Sequence, residues 1–368
     1  MRILQVITEL RPAGAEKVVL LLSRELKKRG HELHVVSLKP LPEAPYDGIV
    51  RQLNANGIPV HSLGLTRAMP WRALRLRRLI RAIAPDIIHS HLFHPNLLTR
   101  LLRSSASISL VNTIHVVERR RSRIWHFFLD RLTRRRCDSI TAVSQAVRDF
   151  HAPRIGAGED EITVICNGVE IPRKLSAEQK QHIRGELGLA DCTRIIGSIG
   201  RLAHQKGYDR LLGLLPELGN AIPRGETWGI AIIGEGPERP HLEKLAAKAP
   251  SNIIVRLPGF RSDAARCIQA FDLFVMPSRY EGCPMALLEA CTAGVPAVIS
   301  QIDSVKEISR QCSNAVPASF DQRSCAVKVL ITVARQKLVD SSCSAFSGET
   351  MAEKYAELYR KTQHCETK

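Results

Sequence analysis

The sequence predicts an α/β fold of two Rossmann-like domains, each built on a parallel sheet. At 368 residues, the chain exceeds the usual size of a single hydrophobic core. Short apolar runs alternate with segments of helical periodicity, which is the rhythm of parallel α/β chains. This rhythm begins a second time after a turn at Asn167-Gly168 and Pro172, so we place the domain boundary there.

The first domain is predicted over residues 1–168. It opens with a strand at 3–7, a glycine-bearing loop, a helix near 18–29 and a strand at 33–38. Gly30 stands where a helix is expected to stop. Two further helices and five short strands continue the alternation, at 71–83 and 95–103, and at 58–60, 86–89, 109–113, 139–143 and 162–165.

The second domain is predicted over residues 169–348. Its strands fall at 194–199, 228–233, 253–257 and 271–276, with helices from about Tyr208, over 240–249 and from Pro284. Residues 349–361 have a helical pattern. We therefore predict a separate C-terminal helical segment over 349–368. Ligands of open parallel sheets bind at the carboxyl ends of the strands, so the loops that follow these strands are the candidate sites.

Composition narrows the class of protein. The chain is 44% hydrophobic and 24% charged, as in ordinary globular proteins. No apolar run is long enough for a membrane span, and the first residues have the pattern of a strand and not of a signal peptide, so we expect a cytoplasmic protein. All ten cysteines lie at or after Cys137 without zinc-ligand spacing, which predicts reduced thiols and no metal site.

Two carboxylates stand eight residues apart between a buried strand and a helix. Pro284 is expected to start a helix. Glu281 lies just before this helix, and Glu289 lies one turn into it. Both acids can therefore face one ligand. Backbone N–H groups at the start of the helix favour a phosphate, so the segment suits a ligand that carries both hydroxyl groups and phosphate.

A second candidate segment runs from Gly197 to Gly207 and contains Gly200, Arg201 and Lys206. Arg201 and Lys206 are two cations on a glycine-rich loop that leads into a helix. Arginine can hold phosphate oxygens in pairs and lysine acts as a point charge. The pattern predicts recognition of a diphosphate, and the alternative is a solvated basic loop.

These residues resemble the signature of the retaining family 4 glycosyltransferases. The resemblance is carried by Glu281-Gly282-Cys283-Pro284, Glu289 and the downstream 293–296. It implies the fold called GT-B, with two Rossmann-like domains facing a central cleft. It also implies that Glu281 contacts the donor sugar, Glu289 the ribose, and Arg201 and Lys206 the diphosphate. The family more often has an aromatic residue in place of Cys283.

The resemblance supplies further site residues. It places the Gly14 loop near the donor phosphates and His115 near the transferred sugar. Directly after this histidine the family usually has Asp, whereas this chain has Val116. His91 is a weaker candidate on the acceptor side, and the 89/91 pair lacks the additional ligands that a metal needs. The remaining donor contacts would come from Gly200, Gly236, Phe260, Gly282, Cys283, Pro284, Met285 and Leu287.

The activity implied is retaining, metal-independent transfer of a sugar from a UDP- or GDP-linked donor to a hydroxyl of a glycan or a lipid-linked acceptor. Such a reaction belongs to the synthesis of cell-surface polysaccharide, lipopolysaccharide or glycolipid, needs no cofactor, and catalytic roles fall to Glu281, His115, Arg201 and Lys206. In related enzymes a terminal helix crosses back to the first domain. Two alternatives remain, a nucleotide-sugar epimerase of the same fold and a non-catalytic protein that binds anionic surfaces or nucleic acid.

The formal charge of +17 is concentrated in the first half of the chain. Residues 1–166 hold 27 Lys and Arg against 14 Asp and Glu, and the rest holds 26 against 22. Arginines cluster with aromatic residues in the segments 72–81 and 119–136, which suits docking on the anionic inner face of a membrane. Alternatively, Trp125, Phe127 and Phe128 are core and the arginines only solvated. No nucleic-acid-binding motif is present.

Overall fold

The computed structural model describes residues 1–103, 107–117, 124–335 and 344–364. The chain divides into two compact units. Unit 1 comprises Met1–Val169 with Phe346–Lys368, and unit 2 comprises Glu170–Ala345. The sequence analysis places the corresponding divisions at 168 and 348. In the described residues, no helix is both long enough and apolar enough to cross a membrane.

Unit 1 is built on a seven-stranded parallel sheet of order β3-β2-β1-β4-β5-β6-β7. The order reverses beside β1, which pairs with both β2 and β4, so the loops after β1 and β4 emerge side by side at the carboxyl edge. The strands are β1 Arg2–Ile7, β2 Glu32–Ser37, β3 Val60–Ser62, β4 Ile87–His91, β5 Ser109–Ile114, β6 Ser139–Ala142 and β7 Ile162–Val164.

The helices of unit 1 connect these strands and cover the sheet. α3 shows why they form: Leu76, Ile80 and Ile83 are buried, and the intervening positions are mostly arginine, so one stripe packs on the sheet while the other faces water. The helices that precede unit 2 are α1 Gly14–Lys28, α2 Gly48–Ala55, α3 Leu74–Ile83, α4 Phe93–Leu102, α5 Ile124–Thr133 and α6 Gln145–Ile155.

Unit 2 has a six-stranded parallel sheet of order β10-β9-β8-β11-β12-β13. Here the order reverses between β8 and β11, which are neighbours although 77 positions separate the residues that pair, Ile196 with Leu273 and Gly197 with Phe274. The strands are β8 Arg194–Ile199, β9 Trp228–Ile233, β10 Ile253–Gly259, β11 Leu273–Met276, β12 Ala297–Ser300 and β13 Ala315–Ala318.

The core of unit 2 is formed by buried apolar residues from the strands and from the helices on the sheet, with Trp228 and Val275 fully buried. Strands covered on both faces read as continuous apolar runs, as the sequence shows. The helices are α7 Ala177–Glu186, α8 Tyr208–Leu212, α9 Leu215–Ala221, α10 Arg239–Ala246, α11 Ala264–Cys267, α12 Met285–Thr292, α13 Asp303–Ser309 and α14 Arg323–Ala334.

The last helix, α15, spans Gly348–His364 and belongs to unit 1. It packs against α1 and β5. Tyr355 and Tyr359 are fully buried there, and Val169 forms an isolated parallel bridge with Ser347. The chain therefore returns to unit 1 after unit 2 is complete.

Candidate functional site

Two loops at the carboxyl edge of the unit 2 sheet form the candidate site. One follows β8 and carries Arg201 and Lys206, and the other follows β11 and carries Glu281. Because β8 and β11 are neighbouring parallel strands, both loops leave the sheet at the same edge. The two segments that the sequence analysis selected separately therefore meet.

The loops are bound to each other by several hydrogen bonds. The Arg279 backbone N–H donates to the Gln205 carbonyl at 2.8 Å, and Gln205 Nε2 donates to the Tyr280 carbonyl at 3.0 Å. Arg279 also makes two hydrogen bonds to the Asp209 carboxylate at 2.8 and 2.7 Å. Paired Arg–carboxylate contacts fix orientation as well as distance, so the two loops form one rigid rim.

Glu281 is buried, with 6% of its surface exposed. Its Oε1 atom accepts hydrogen bonds from Lys206 Nζ at 2.6 Å and from Ser278 Oγ at 2.8 Å, and its carbonyl accepts from Ser304 Oγ at 3.0 Å. A buried carboxylate needs such compensation. Oε2 makes no hydrogen bond within the described residues, which leaves one oxygen for a ligand.

This pairing changes the interpretation of Lys206. The sequence analysis assigns Lys206 to the phosphates and Glu281 to the sugar, as separate contacts. In the structure the two side chains contact each other, because a buried carboxylate gains more from an adjacent cation than from water it cannot reach. Lys206 is therefore first of all the partner of Glu281.

Arg201 is different. Its side chain is exposed, and in the described part of the chain it makes no hydrogen bond or ion pair. An arginine on the rim, free of protein carboxylates, can present its guanidinium to an anionic ligand.

The N-terminus of α12 supplies further donors. Pro284 has an extended conformation and lies immediately before the helix, not in its first turn. Among the described residues, the N–H groups of Gly282, Met285 and Ala286 have no hydrogen-bond acceptor. Such orphan donors and the helix dipole favour an anion.

The side chains around this helix divide by burial. Cys283, Met285 and Leu287 are buried, so they shape the rim from behind and can offer a ligand little more than their backbone. Glu289 is half-buried one turn into α12. Because the Cys283 side chain faces the protein interior, the exchange of the more common aromatic residue for a thiol changes the packing behind the loop and not the surface offered to a ligand.

Gly236 and Phe260 come from the adjoining loops. A Cβ atom at Gly236 would lie 2.2 Å from the Leu202 carbonyl oxygen, so only glycine allows this loop to pack behind the residue next to Arg201. Arg239 donates two hydrogen bonds of 2.9 Å to the Glu235 carboxylate. The carboxylate raises the pKa of the Arg239 guanidinium. Phe260 is half-buried directly after β10. The Leu202 backbone N–H donates to the Glu235 carbonyl at 2.9 Å, so the loop after β9 supports the Arg201 loop.

In unit 1, Gly14 is the first residue of α1 and is exposed. Two positions along, Glu16 is buried, and burial raises the pKa of its carboxyl to about 7, with the charge of Glu9 adding to the effect and a backbone hydrogen bond and Lys39 opposing it. The sequence analysis passes over Glu16. A carboxyl that titrates near neutral pH beside a candidate loop is a typical property of a functional site.

The histidines of unit 1 form a cluster. His91 Nδ1 lies 2.9 Å from His115 Nε2, and His91 Nε2 lies 2.7 Å from Gln5 Oε1. Burial lowers the pKa of His115 to about 3 and lowers that of His91 well below its usual value, to which His89 and His115 also contribute. Both rings are neutral at physiological pH. Since His91 is fully buried with both nitrogens engaged, it supports His115 and cannot itself contact an acceptor.

Exposed apolar side chains accompany the arginines of unit 1. The neighbouring helices α3, α4 and α5 present Leu74, Leu101, Ile124, Trp125, Phe128 and Leu132, and Trp71 lies just before α3. Trp125 and Phe128 are 48% and 62% exposed, so the interpretation of these two as core is wrong, while Phe127 is half-buried. The prediction for 118–123 lies outside the described residues.

One arginine of this group is an exception. Arg100 is buried and donates to Asp130 Oδ1 and Asn112 Oδ1, both at 2.6 Å. It ties α4 to β5 and α5.

In the residues that the structure describes, no group of three or more His, Cys, Asp and Glu side chains could hold a metal ion.

Several known proteins are similar to this chain in sequence or in fold. Residues 12–173 match the model described as Glycosyltransferase Family 4, and residues 179–330 match Glycosyl transferases group 1. An uncharacterized glycosyltransferase of Methanocaldococcus jannaschii is 28% identical over 319 residues, covering 80% of this chain and 78% of that protein. A glycogen synthase of Mycobacterium tuberculosis is 29% identical, covering 98% and 94%. The crystal structure of Anabaena HepE with UDP has a TM-score of 0.80 at 19% identity, covering 98% of this chain and 100% of that one. The fold is therefore GT-B.

Proposed function

Because the chain belongs to the family 4 glycosyltransferases, whose two domain models match residues 12–173 and 179–330, we propose that it transfers a sugar from a nucleoside-diphosphate sugar to an acceptor hydroxyl. The donor is UDP- or GDP-linked, and the acceptor is a glycan or a lipid-linked glycan of cell-surface polysaccharide, lipopolysaccharide or glycolipid synthesis. The anomeric configuration is retained.

One observation carries this proposal. Arg201, the orphan N–H groups of α12 and the free oxygen of Glu281 all lie at the edge where β8 and β11 end. The Arg201 guanidinium and the backbone N–H groups suit a diphosphate, and the carboxylate oxygen of Glu281 suits a sugar hydroxyl. The glycogen synthase and the UDP complex of HepE among the similar proteins are consistent with a nucleotide-sugar ligand.

Catalysis follows from where charge develops. As the bond to the anomeric carbon breaks, negative charge grows on the departing diphosphate. Arg201 and the α12 amides are already in place for this charge, so they stabilise the transition state more than the ground state. We propose that these groups suffice without a metal ion.

Glu281 orients the donor sugar in this scheme. Its Oε1 is held by Lys206 and Ser278, which reduces the nucleophilicity of the carboxylate and leaves Oε2 to accept a hydrogen bond from a sugar hydroxyl. We therefore propose a same-face displacement in which the departing phosphate helps to deprotonate the acceptor, with no covalent glycosyl-enzyme. Glu289 would contact the ribose from its position one turn into α12.

The acceptor is assigned to unit 1. His115 is half-buried and neutral, which suits a hydrogen bond to a substrate hydroxyl better than the storage of a positive charge. Gly14 and Glu16 lie at the start of α1, after the strand next to β4. We propose that these loops form the acceptor side of the enzyme.

The function is tested with panels of UDP- and GDP-sugars and of glycan and polyprenyl-linked acceptors. We expect a product with the mass of acceptor plus one sugar, retained anomeric configuration by NMR, and loss of product in Glu281→Ala. Epimerisation of the donor without transfer would favour the epimerase alternative. Wild-type turnover in an Arg201→Ala/Lys206→Ala variant would contradict the diphosphate assignment.

We also propose that α3 and α5 dock on an anionic membrane surface. Exposed Trp125 and Phe128 lie beside the exposed Arg131, and Arg75, Arg77, Arg78 and Arg81 are exposed on α3 with no acid in that helix. Basic charge around a protruding aromatic surface is complementary to anionic lipid. Docking there would bring a lipid-linked acceptor to unit 1.

Vesicle flotation measures this docking. We expect the protein to float with vesicles of phosphatidylcholine and phosphatidylglycerol but not with phosphatidylcholine alone. A Trp125→Ser/Phe128→Ser variant should bind at least about 10-fold more weakly, since each buried aromatic side chain contributes about 1.5–3 kcal/mol. Ile171→Ser, which removes another exposed apolar side chain, is the matched control. Equal flotation of all three proteins, or binding to nucleic acid and not to vesicles, would contradict the proposal.

A further inference from the structure

A line of buried polar side chains runs through the sheet of unit 1 and ends at His115. Gln5 on β1, His91 on β4 and His115 after β5 are joined by hydrogen bonds of 2.7 and 2.9 Å. Gln5 and His91 are fully buried. Polar groups in the middle of an apolar sheet are costly unless they are fully paired, so this line needs an explanation.

The donors and acceptors along the line can be assigned in order. A neutral imidazole has one N–H donor and one acceptor nitrogen. Since Gln5 Oε1 can only accept, the hydrogen of His91 is on Nε2, and its Nδ1 must accept. His115 Nε2 therefore donates to His91. The remaining nitrogen, His115 Nδ1, is then an acceptor, and it has no hydrogen-bond partner among the described residues.

A second row of contacts holds this line from behind. His89 Nδ1 pairs with the Tyr359 hydroxyl at 2.7 Å, and His89 Nε2 with Thr113 Oγ1 at 2.6 Å. The His89 ring packs on His91 with centroids 4.1 Å apart. Helix α15 thus fixes the ring next to His91, and burial keeps His89 neutral by lowering its pKa well below the usual value.

Gln5 does not satisfy its own amide fully. The amide faces the Tyr359 hydroxyl, but Nε2 is buried with no partner at hydrogen-bonding geometry. A buried unsatisfied donor costs about 1–3 kcal/mol of stability. A methionine of similar length would avoid that cost. The contact that a methionine cannot make is the one from Oε1 to His91.

We propose that Gln5 and His91 are positioning residues that hold His115 with its hydrogen on Nε2, so that Nδ1 accepts a hydrogen bond from a substrate hydroxyl. The catalytic part of this proposal rests on the proposed glycosyl transfer, while the tautomer itself does not. Gln5 and His91 act through His115 and do not contact the substrate.

The tautomer is read by NMR of the full chain with ¹⁵N-labelled histidine, using a His115→Asn variant for assignment. We expect one state in which Nε2 carries the hydrogen in both His91 and His115. In Gln5→Met the acceptor is lost, so both rings should become mixtures of the two tautomers. A hydrogen on Nδ1 of His115 in the wild type, or unchanged tautomers in Gln5→Met, would overturn the proposal.

Kinetics and stability separate positioning from a structural role. Gln5→Met should lower kcat roughly 10-fold, the value of one hydrogen bond, with the donor KM unchanged. The melting temperature should stay about equal, because the unpaired amide of Gln5 is exchanged for an unpaired ring nitrogen of His91. Gln269→Met is the control, because it removes a buried amide that pairs with Arg173 and Leu175 in unit 2, and it should leave kcat unchanged. Parallel losses of kcat and melting temperature in Gln5→Met would overturn the positioning role. The NMR result would stand even if no transfer were observed.

Discussion

An Arg201→Ala variant is expected to transfer sugar about 10²–10³-fold more slowly than the wild type at saturating donor, the loss typical for removing one preorganised charge from a developing anion. The Arg201 side chain is exposed and makes no contact with a carboxylate in the described residues. Its removal should therefore leave the melting temperature unchanged. The measurement is kcat from the rate of product formation.

Two further variants make this prediction specific. Arg201→Lys keeps the charge but loses the paired geometry of the guanidinium, so we expect an intermediate rate. Arg224→Ala removes an exposed arginine of unit 2 that lies before β9 and should behave as wild type. A rate within threefold of wild type for Arg201→Ala would mean that Arg201 does not stabilise the leaving group.

The second large effect is expected on stability. Lys206→Met should lower the free energy of unfolding by about 3–5 kcal/mol, because it leaves the Glu281 carboxylate buried without its cation. The exposed fractions of the two side chains, 23% and 7%, place the pair largely out of water. Urea denaturation followed by circular dichroism measures the change.

A double variant distinguishes the charge effect from lost packing. Lys206→Met/Glu281→Gln removes both charges and should recover most of the stability while remaining inactive. Lys306→Met is the control, since Lys306 is 41% exposed and lies 3.9 Å from Asp303, a surface pair worth at most about 1 kcal/mol. If Lys206→Met were as stable as this control, the pair would not be the support of Glu281 that we infer.

The parallel α/β rhythm and the two candidate loops of unit 2 could be predicted from sequence because both are local patterns. The apolar strand before Pro284 and the spacing from Glu281 to Glu289 indicate a loop that enters a helix, and the glycines around Arg201 indicate another. That β8 and β11 are neighbours follows from the order of strands in the sheet, which no local pattern encodes. The direct contact of Lys206 with Glu281 was therefore missed.

The buried network of unit 1 was missed for a similar reason. Gln5 interrupts the apolar strand β1, which is a local signal of an unusual position, but its partner His91 lies 86 positions away. The sequence did not decide whether Trp125 and Phe128 are buried or exposed, for another reason. An aromatic residue next to arginines is compatible with either face of a helix, and only the packing of α5 on its neighbours decides which face is buried.

Isothermal titration of the full chain with UDP and GDP tests the central claim most directly, that the rim formed by the loops after β8 and β11 binds a nucleoside diphosphate. We expect one of the two nucleotides to bind and Arg201→Ala to weaken its binding by at least about 10-fold, the loss of one charge-assisted hydrogen bond of roughly 1.5–3 kcal/mol, while Arg224→Ala binds as wild type. Absence of binding by both nucleotides, or equal affinity in Arg201→Ala, would contradict it.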